Sequence, residues 1–163
     1  MMGLYRQNVG IVVFNRTGKT LMCARADKTD MRWQYPQGGI EPGEKIIAAA
    51  KRELQEETGL TNVEVVAQLP QPLRYDFPPQ ISKAFHRRGS PYVGQDQHWV
   101  LVYFNGNDDE INFRTHPEEV EFKDYRWVDI QEAPNLVVDF KKDVYTQMAK
   151  IFANYIRPNW KQS

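Results

Sequence analysis

The sequence predicts an α/β fold in which a mixed sheet is sandwiched between helices, an α/β/α arrangement. Two observations lead to this prediction: apolar runs typical of strands occur on both sides of a segment rich in helix formers, and an amphipathic helical pattern follows near the end of the chain. The 163 residues, 41% of them hydrophobic, favour a single domain over 1–163 with one substantial core.

A β-hairpin is the first predicted element. Residues 9–14 and 20–26 are apolar runs, and the intervening segment 15–19, Asn-Arg-Thr-Gly-Lys, has the composition of a turn. The single cysteine, Cys23, lies in the second run. Because a lone cysteine excludes an internal disulfide, we expect Cys23 to be a buried structural thiol in a reducing compartment.

The segment 45–58 is predicted to be a helix, since it is rich in Ala, Glu, Leu and Lys and is followed by Gly59 as a left-handed terminator. Strands are predicted at 63–69, 98–105 and 121–128, and a second helix at 140–156 with Asp139 as a candidate cap. The segment 71–94, which contains four prolines, is predicted to be a long functional loop.

Charge and hydropathy narrow the range of functions and locations that fit this sequence. Lys+Arg and Asp+Glu number 21 each, so no global basic field draws the protein onto nucleic acid. No apolar run approaches the roughly 20 residues needed to cross a bilayer, and the first residues lack the pattern of a signal peptide. We therefore expect a cytoplasmic protein with no membrane partner, and nothing in the sequence indicates an obligate protein partner.

Three carboxylates lie on an unexpected face of the first helix. At roughly 100° per residue, Glu53, Glu56 and Glu57 share an arc with the apolar residues of the preceding turns, and an apolar stripe normally faces the core. Carboxylates held this close repel one another, and a hard divalent cation such as Mg²⁺ or Mn²⁺ relieves the repulsion. The alternative is that these residues pair with basic side chains, with Arg52 serving one of them.

Residues 38–60 resemble the Nudix box, Gly-x5-Glu-x7-Arg-Glu-U-x-Glu-Glu-x-Gly-U, where U is a bulky aliphatic residue. Every fixed position is filled, by Gly38, Glu44, Arg52, Glu53, Leu54, Glu56, Glu57, Gly59 and Leu60. The resemblance implies a Nudix-type α/β/α sandwich and a pyrophosphohydrolase that uses Mg²⁺, with Mn²⁺ as a substitute and more than one ion bound. It implies that Glu53, Glu56, Glu57 and the Gly38 carbonyl bind the metal.

The same resemblance assigns the remaining box residues and the base. Glu44 and Arg52 are expected to brace the loop and helix. A further family glutamate lies outside the box, and its spacing to the Arg-Trp-Val segment at 126–128 makes Glu121 the match. Glu121 is expected to be metal-linked and to act as the general base, in a catalytic set with Glu53 and Glu57. Glu53 is the rival base, and a nearby acidic residue at 118 or 119 is the other alternative.

Segments 5–10, 33–40 and 140–145 are similar to the bacterial RNA pyrophosphohydrolase group, and 75–79 to plant diadenosine tetraphosphate hydrolases. The chain departs from the bacterial group in having Gln7 where proline is usual and a slightly longer loop at 27–32. The resemblance implies a nucleotide substrate with a 5′-polyphosphate chain, either a triphosphorylated RNA 5′ end or a dinucleoside polyphosphate. The alternatives are an enzyme that removes damaged nucleoside triphosphates and a nucleotide sensor without catalysis.

Basic and aromatic residues are the candidate substrate contacts. Phosphate binding is predicted for Arg6, Arg25, Tyr75 and Lys141, and Phe140 is predicted to stack on a base. The alternatives without a functional role are that Phe140 is the first core residue of the last helix and that Arg6 is an ordinary surface charge.

Overall fold

The computed structural model describes residues 3–27 and 32–162, so residues 28–31 of the 27–32 loop lie outside the described residues. Within that range the strands are β1 Leu4–Phe14, β2 Thr20–Arg25, β3 Trp33–Gln34, β4 Gln37–Gly39, β5 Val63–Gln68, β6 Leu73–Asp76, β7 Tyr92–Phe104 and β8 Phe122–Val128. The helices are α1 Ile46–Thr58, α2 Pro79–Arg87, α3 Ala133–Leu136 and α4 Lys142–Phe152. None of the described helices has the length and apolar character that crossing a membrane requires.

The strands form one sheet with the order β3-β2-β1-β7-β5. Strand β4 adds to β1, β6 adds to β7, and β8 adds to β2. The central pair, β1 and β7, is parallel, whereas the other pairs are antiparallel, which confirms the predicted mixed sheet. The β1–β7 register places Arg6 opposite Gln95 and Asn8 opposite Gln97, so polar side chains from distant parts of the sequence lie side by side.

Both faces of the sheet are covered. Val9, Ile11 and Val13 of β1 pack with the apolar side of α1, whereas Val12 and Phe14 pack with the buried residues of α3 and α4. This division follows from the alternation of side chains along a strand, which sends successive residues to opposite faces. The result is the predicted α/β/α sandwich.

Several predicted elements are confirmed. The hairpin forms, with Phe14 paired to Thr20. Helix α1 ends at Gly59, whose φ of 77° lies in the left-handed region. Cys23 is fully buried, and that burial raises the pKa of its thiol well above the usual value.

Two predictions about the less regular parts of the chain are wrong. The segment 71–94 is not a loop: it contains β6, which pairs with β7, and α2, which has Pro79 in its first turn, where a missing N–H is tolerated. Strand β7 also begins within it, six residues before the prediction. Asp139 does not cap α4, because residues 139–141 form a separate 3₁₀ turn and Lys141 is the capping residue.

Candidate active site

A carboxylate-lined cavity of about 270 Å³ lies between α1, β4 and the segment that precedes β8. Its walls include Glu53, Glu56 and Glu57 from α1, Glu121 from immediately before β8, and Gly38 of β4. Glu119 also reaches the cavity, whereas Glu118 is exposed and is not among its lining residues. The fold therefore brings every proposed metal-binding residue to one place.

Glu57 is the most enclosed of these carboxylates, with 6% of its surface exposed. Burial raises the pKa of Glu57 well above its usual value, and the negative charges of Glu53 and Glu121 add to the shift. The only hydrogen bond found for its side chain among the described residues comes from the Gln37 backbone N–H, at 3.3 Å. Such a carboxylate is held in an environment that favours a nearby positive charge.

Gly38 permits the close approach of α1 to β4. A side chain at this position would collide with the carboxylate of Glu53. Any larger residue would therefore displace the carboxylate of Glu53 from its place beside the strand that forms the other wall.

Arg52 braces the loop before α1. Its guanidinium donates to both Glu44 oxygens at 2.8 and 2.9 Å and to the Gly39 carbonyl at 2.9 Å. This pairing lowers the pKa of Glu44 to about 2. Arg52 also contacts Glu53 at 2.7 Å and Glu56 at 3.4 Å, so the pairing that the sequence left open does occur. No ion pair within the described residues neutralises Glu57 or Glu121.

The donor set suits a hard divalent cation. It consists of carboxylate and carbonyl oxygens around a cavity with a buried, uncompensated glutamate. Among the described side chains, no three acidic, imidazole or thiol groups are gathered as closely as a bound ion requires, and Glu53 and Glu56 instead face Arg52. Each of these two carboxylates uses one oxygen for Arg52, Oε1 of Glu53 and Oε2 of Glu56, so its second oxygen remains to bind an ion.

Arg6 connects the carboxylate cavity to its neighbours. It lines both that cavity and an adjoining one of about 820 Å³, to which Tyr5 also belongs. Tyr5 in turn lines a third cavity, of about 380 Å³, which contains Phe140. Shared lining residues therefore connect the three cavities in a row: Arg6 joins the carboxylate cavity to the second cavity, and Tyr5 joins the second to the one that Phe140 lines.

A buried hydrogen-bond chain orients Arg6. Its Nη1 donates to Gln95 Oε1 at 3.1 Å, and the amide of Gln95, which is 4% exposed, donates to the Tyr75 hydroxyl. Tyr75 is itself buried and lies in tilted contact with Phe140, with 5.8 Å between ring centroids. Gln95 therefore links the guanidinium to the aromatic pair.

Lys141 and Arg25 are the other two cations that the sequence predicts to contact phosphate. The Lys141 ammonium is 6.0 Å from the ring centroids of both Tyr75 and Phe140. Burial lowers the pKa of Lys141 to about 8, the Arg25 charge contributes to the lowering, and Glu57 opposes the shift. Arg25 forms a two-point contact with Asp27, at 2.9 and 2.7 Å. Lys141 is thus near enough to both Glu57 and Arg25 for their charges to interact.

The sequence analysis missed the amide residues of the site. Asn8 donates to Gln37 at 2.7 Å and accepts from Gln97 at 2.8 Å, parallel to the chain through Gln95. Gln95 and Gln97 lie two residues apart just before a continuous apolar run, and this alternation is the signal from which a longer β7 could have been predicted.

Comparison with known proteins finds similarity over most of the chain. The pattern of the NUDIX domain matches residues 4–154. An RNA pyrophosphohydrolase of Erythrobacter litoralis is 41% identical over 155 residues, which cover 93% of each chain. One from Bartonella clarridgeiae is 43% identical over 92% of this chain and 91% of its own. Nudix hydrolase 25 of Arabidopsis thaliana is 37% identical over 93% of this chain and 88% of its own.

Solved structures share the fold. The dihydroneopterin triphosphate pyrophosphohydrolase of E. coli superposes with a TM-score of 0.67 at 19% identity, over 91% of this chain and 99% of that chain. An Ap4A hydrolase of C. elegans superposes with a TM-score of 0.62 at 16% identity, over 92% and 99%. At such identities the similarity extends to the architecture alone.

Proposed function

Since the chain belongs to the NUDIX family, we propose that it is a divalent-metal-dependent pyrophosphohydrolase that removes pyrophosphate from triphosphorylated RNA 5′ ends. The observation that carries the proposal is the row of three cavities, in which a carboxylate cluster, a guanidinium and an aromatic ring succeed one another. This order matches a metal-bound polyphosphate whose nucleoside extends towards Phe140. The relatives named RNA pyrophosphohydrolase favour RNA as the physiological substrate.

Glu53, Glu56, Glu57 and the Gly38 carbonyl would hold the ions, which we take to be more than one Mg²⁺, with Mn²⁺ able to substitute. Bound ions of this kind neutralise phosphate oxygens and lower the pKa of a coordinated water. Burial of Glu57 serves the same end, because a carboxylate deprived of solvent interacts more strongly with a cation. Arg52 keeps the loop and helix together through one oxygen each of Glu53 and Glu56, and their second oxygens would bind the ions.

Glu121 is the proposed general base, which accepts the proton of the attacking water on a carboxylate oxygen. It lies on the cavity wall, is exposed, and has no ion pair within the described residues. Glu53, the rival, is paired with Arg52, and Glu57 is too enclosed to exchange protons readily with solvent. A positioned base of this type contributes about 10²–10⁴-fold to the rate.

Arg6, Arg25 and Lys141 are proposed to contact the phosphates, and Phe140 to stack on the first accessible base. Tyr75 was predicted to contact phosphate, but its hydroxyl is bonded to Gln95 and its ring is buried. We therefore assign Tyr75 to supporting Phe140 and, through Gln95, Arg6. Nothing in this row depends on the chain beyond the first nucleotide, so dinucleoside polyphosphates such as diadenosine tetraphosphate are the second proposed substrate class.

The test is product release from triphosphorylated RNA and from diadenosine tetraphosphate, with Mg²⁺, for the wild type and two variants. Glu57→Gln should lose turnover by orders of magnitude on both substrates. Glu121→Gln should lower kcat by about 10²–10⁴ with little change in KM, because it keeps size and removes basicity. Glu118→Gln, at an exposed position outside the cavity lining, is the matched control and should remain near wild type.

Each failure has a distinct reading. A wild type that cleaves diadenosine tetraphosphate but not triphosphorylated RNA would refute the RNA proposal and leave the hydrolase intact. Near-normal turnover of Glu57→Gln at limiting Mg²⁺ would refute the ligand assignment. A larger defect in Glu118→Gln than in Glu121→Gln would assign the role of general base to Glu118 instead of Glu121.

A further inference from the structure

The segment 77–95, which includes α2, has one sign of charge. It carries Lys83, Arg87 and Arg88, together with His86, and contains no aspartate or glutamate, although the whole chain has a formal net charge of zero. Clustered like charges create a local potential even when the net charge of the protein vanishes. We call Lys83, Arg87 and Arg88 the α2 cations.

The α2 cations are not held by acidic neighbours. No residue of α2 is buried, and all three cations are exposed. None of them forms an ion pair with any residue in the described part of the chain. Lys83 and Arg87 are four residues apart on the helix, a spacing at which like charges destabilise. An anionic partner would turn this unfavourable arrangement into a favourable one.

An aromatic series joins α2 to the proposed base site. The ring centroids of Phe140 and Tyr75 are 5.8 Å apart, and those of Tyr75 and Phe77 are 6.1 Å apart. The centroids of Phe77 and Phe85, the latter in α2, are 4.8 Å apart. The last two rings are nearly parallel, at 7°, and both are only half-buried. The guanidinium of Arg88 lies 5.1 Å from the centre of the Phe85 ring. A series of ring contacts therefore runs from Phe140 to α2 and ends at Arg88, one of the α2 cations.

We propose that α2 is a docking surface for the single-stranded RNA chain downstream of the 5′ nucleotides. The inference rests on the proposed function, since it needs an RNA whose 5′ end lies at the carboxylates. Single-strand binding surfaces combine a cationic path along the backbone with aromatic rings that accept any base, and α2 with Phe77 and Phe85 supplies both. The three ring-to-ring separations of 5.8, 6.1 and 4.8 Å between Phe140 and Phe85 fit sites that span roughly 4–16 nucleotides. A substrate with no chain beyond its second nucleoside does not reach α2.

The surface is tested with the triple variant Lys83→Gln/Arg87→Gln/Arg88→Gln. We expect kcat/KM to fall roughly tenfold on a triphosphorylated RNA of about 20 nucleotides and to stay unchanged on a triphosphorylated dinucleotide and on diadenosine tetraphosphate. Binding of a 3′-fluorescein-labelled single-stranded RNA of the same length, followed by anisotropy, should show a salt slope shallower by about 2, since three phosphate contacts are lost.

The matched control neutralises three other exposed cations that lie outside the row of cavities, Arg16, Lys51 and Lys150, also to glutamine. It changes net charge equally and should keep the long-RNA activity and salt slope of the wild type. Equal losses in both triples would show that net charge alone matters and overturn the proposal. So would an α2 triple that loses nothing on long RNA, or loses equally on all substrates. If the wild type cleaves no RNA, the proposed function fails, while the anisotropy arm still decides whether α2 binds the chain.

Discussion

Lys141 offers a quantitative test of the site, because the pKa of its ammonium is only slightly above neutral pH. Burial and the nearby Arg25 charge lower its pKa to about 8 from an ordinary 10.5. The perturbation is Lys141→Arg, which keeps the positive charge at all accessible pH values because a guanidinium does not deprotonate in proteins. Lys142→Arg, the same change at the adjacent exposed position, is the control.

The magnitude follows from the lowered pKa. A group with a pKa of about 8 is roughly nine-tenths charged at pH 7 and roughly one-tenth charged at pH 9. If the ammonium binds phosphate, kcat/KM of the wild type should fall by about tenfold per pH unit above pH 8, because this parameter reports the free enzyme. The fall in kcat should begin at higher pH, since bound phosphate raises the pKa of Lys141.

Stability supplies an independent readout with a fixed sign. The pKa of Lys141 in the folded protein lies below its ordinary value, so burying the charged ammonium lowers the free energy of unfolding. This penalty is present in full below about pH 8 and disappears as pH rises from about 8 to 10.5. The shift corresponds to about 3 kcal/mol. Lys141→Met should therefore raise the free energy of unfolding by up to about 3 kcal/mol at pH 7 and by little at pH 10.5, while impairing catalysis.

The assay is the pH dependence of kcat/KM on triphosphorylated RNA from about pH 6 to about pH 10, with urea unfolding at the same pH values. An alkaline limb that is identical in the wild type and in Lys141→Arg would refute the reasoning, because the limb would then belong to another group. A Lys141→Met variant less stable than the wild type at pH 7 would show that the ammonium is not penalised by burial.

Two further predictions concern the aromatic end of the site. Gln95→Leu removes the acceptor of Arg6 and the donor to Tyr75, so kcat/KM should fall roughly tenfold. In an Arg6→Ala background the same substitution should cause little further loss. An additive loss would show that Gln95 does not act through Arg6. Phe140→Ala should weaken triphosphorylated RNA and diadenosine tetraphosphate together, by roughly ten- to a hundredfold if stacking contributes about 1–3 kcal/mol. Loss on one substrate alone would indicate separate base sites, and no loss would return Phe140 to a packing role.

Local patterns in the sequence accounted for much of the fold and for the carboxylates. The turn at 15–19, the composition of α1 and its Gly59 terminus are short-range features, and each is present as predicted. The three glutamates of α1 were recognisable because a helix has a fixed period, which places them with apolar neighbours whatever the rest of the chain does. The segment 71–94 was misread because its prolines outweighed the short alternation of β6 and the helical start at Pro79.

Only the tertiary structure decided how the residues proposed to contact the substrate come together. Arg6 and Gln95 are 89 residues apart, and they meet because β1 and β7 pair in parallel at that register, which is set by packing on both faces of the sheet. The lowered pKa of Lys141 likewise depends on burial and on the charge of Arg25, a residue distant in sequence. Helical and strand periods fix which side chains share a face, so the three α1 carboxylates proposed to bind metal could be identified from one segment. Strand register and desolvation depend on the whole fold, and they place the groups proposed to meet phosphate and base.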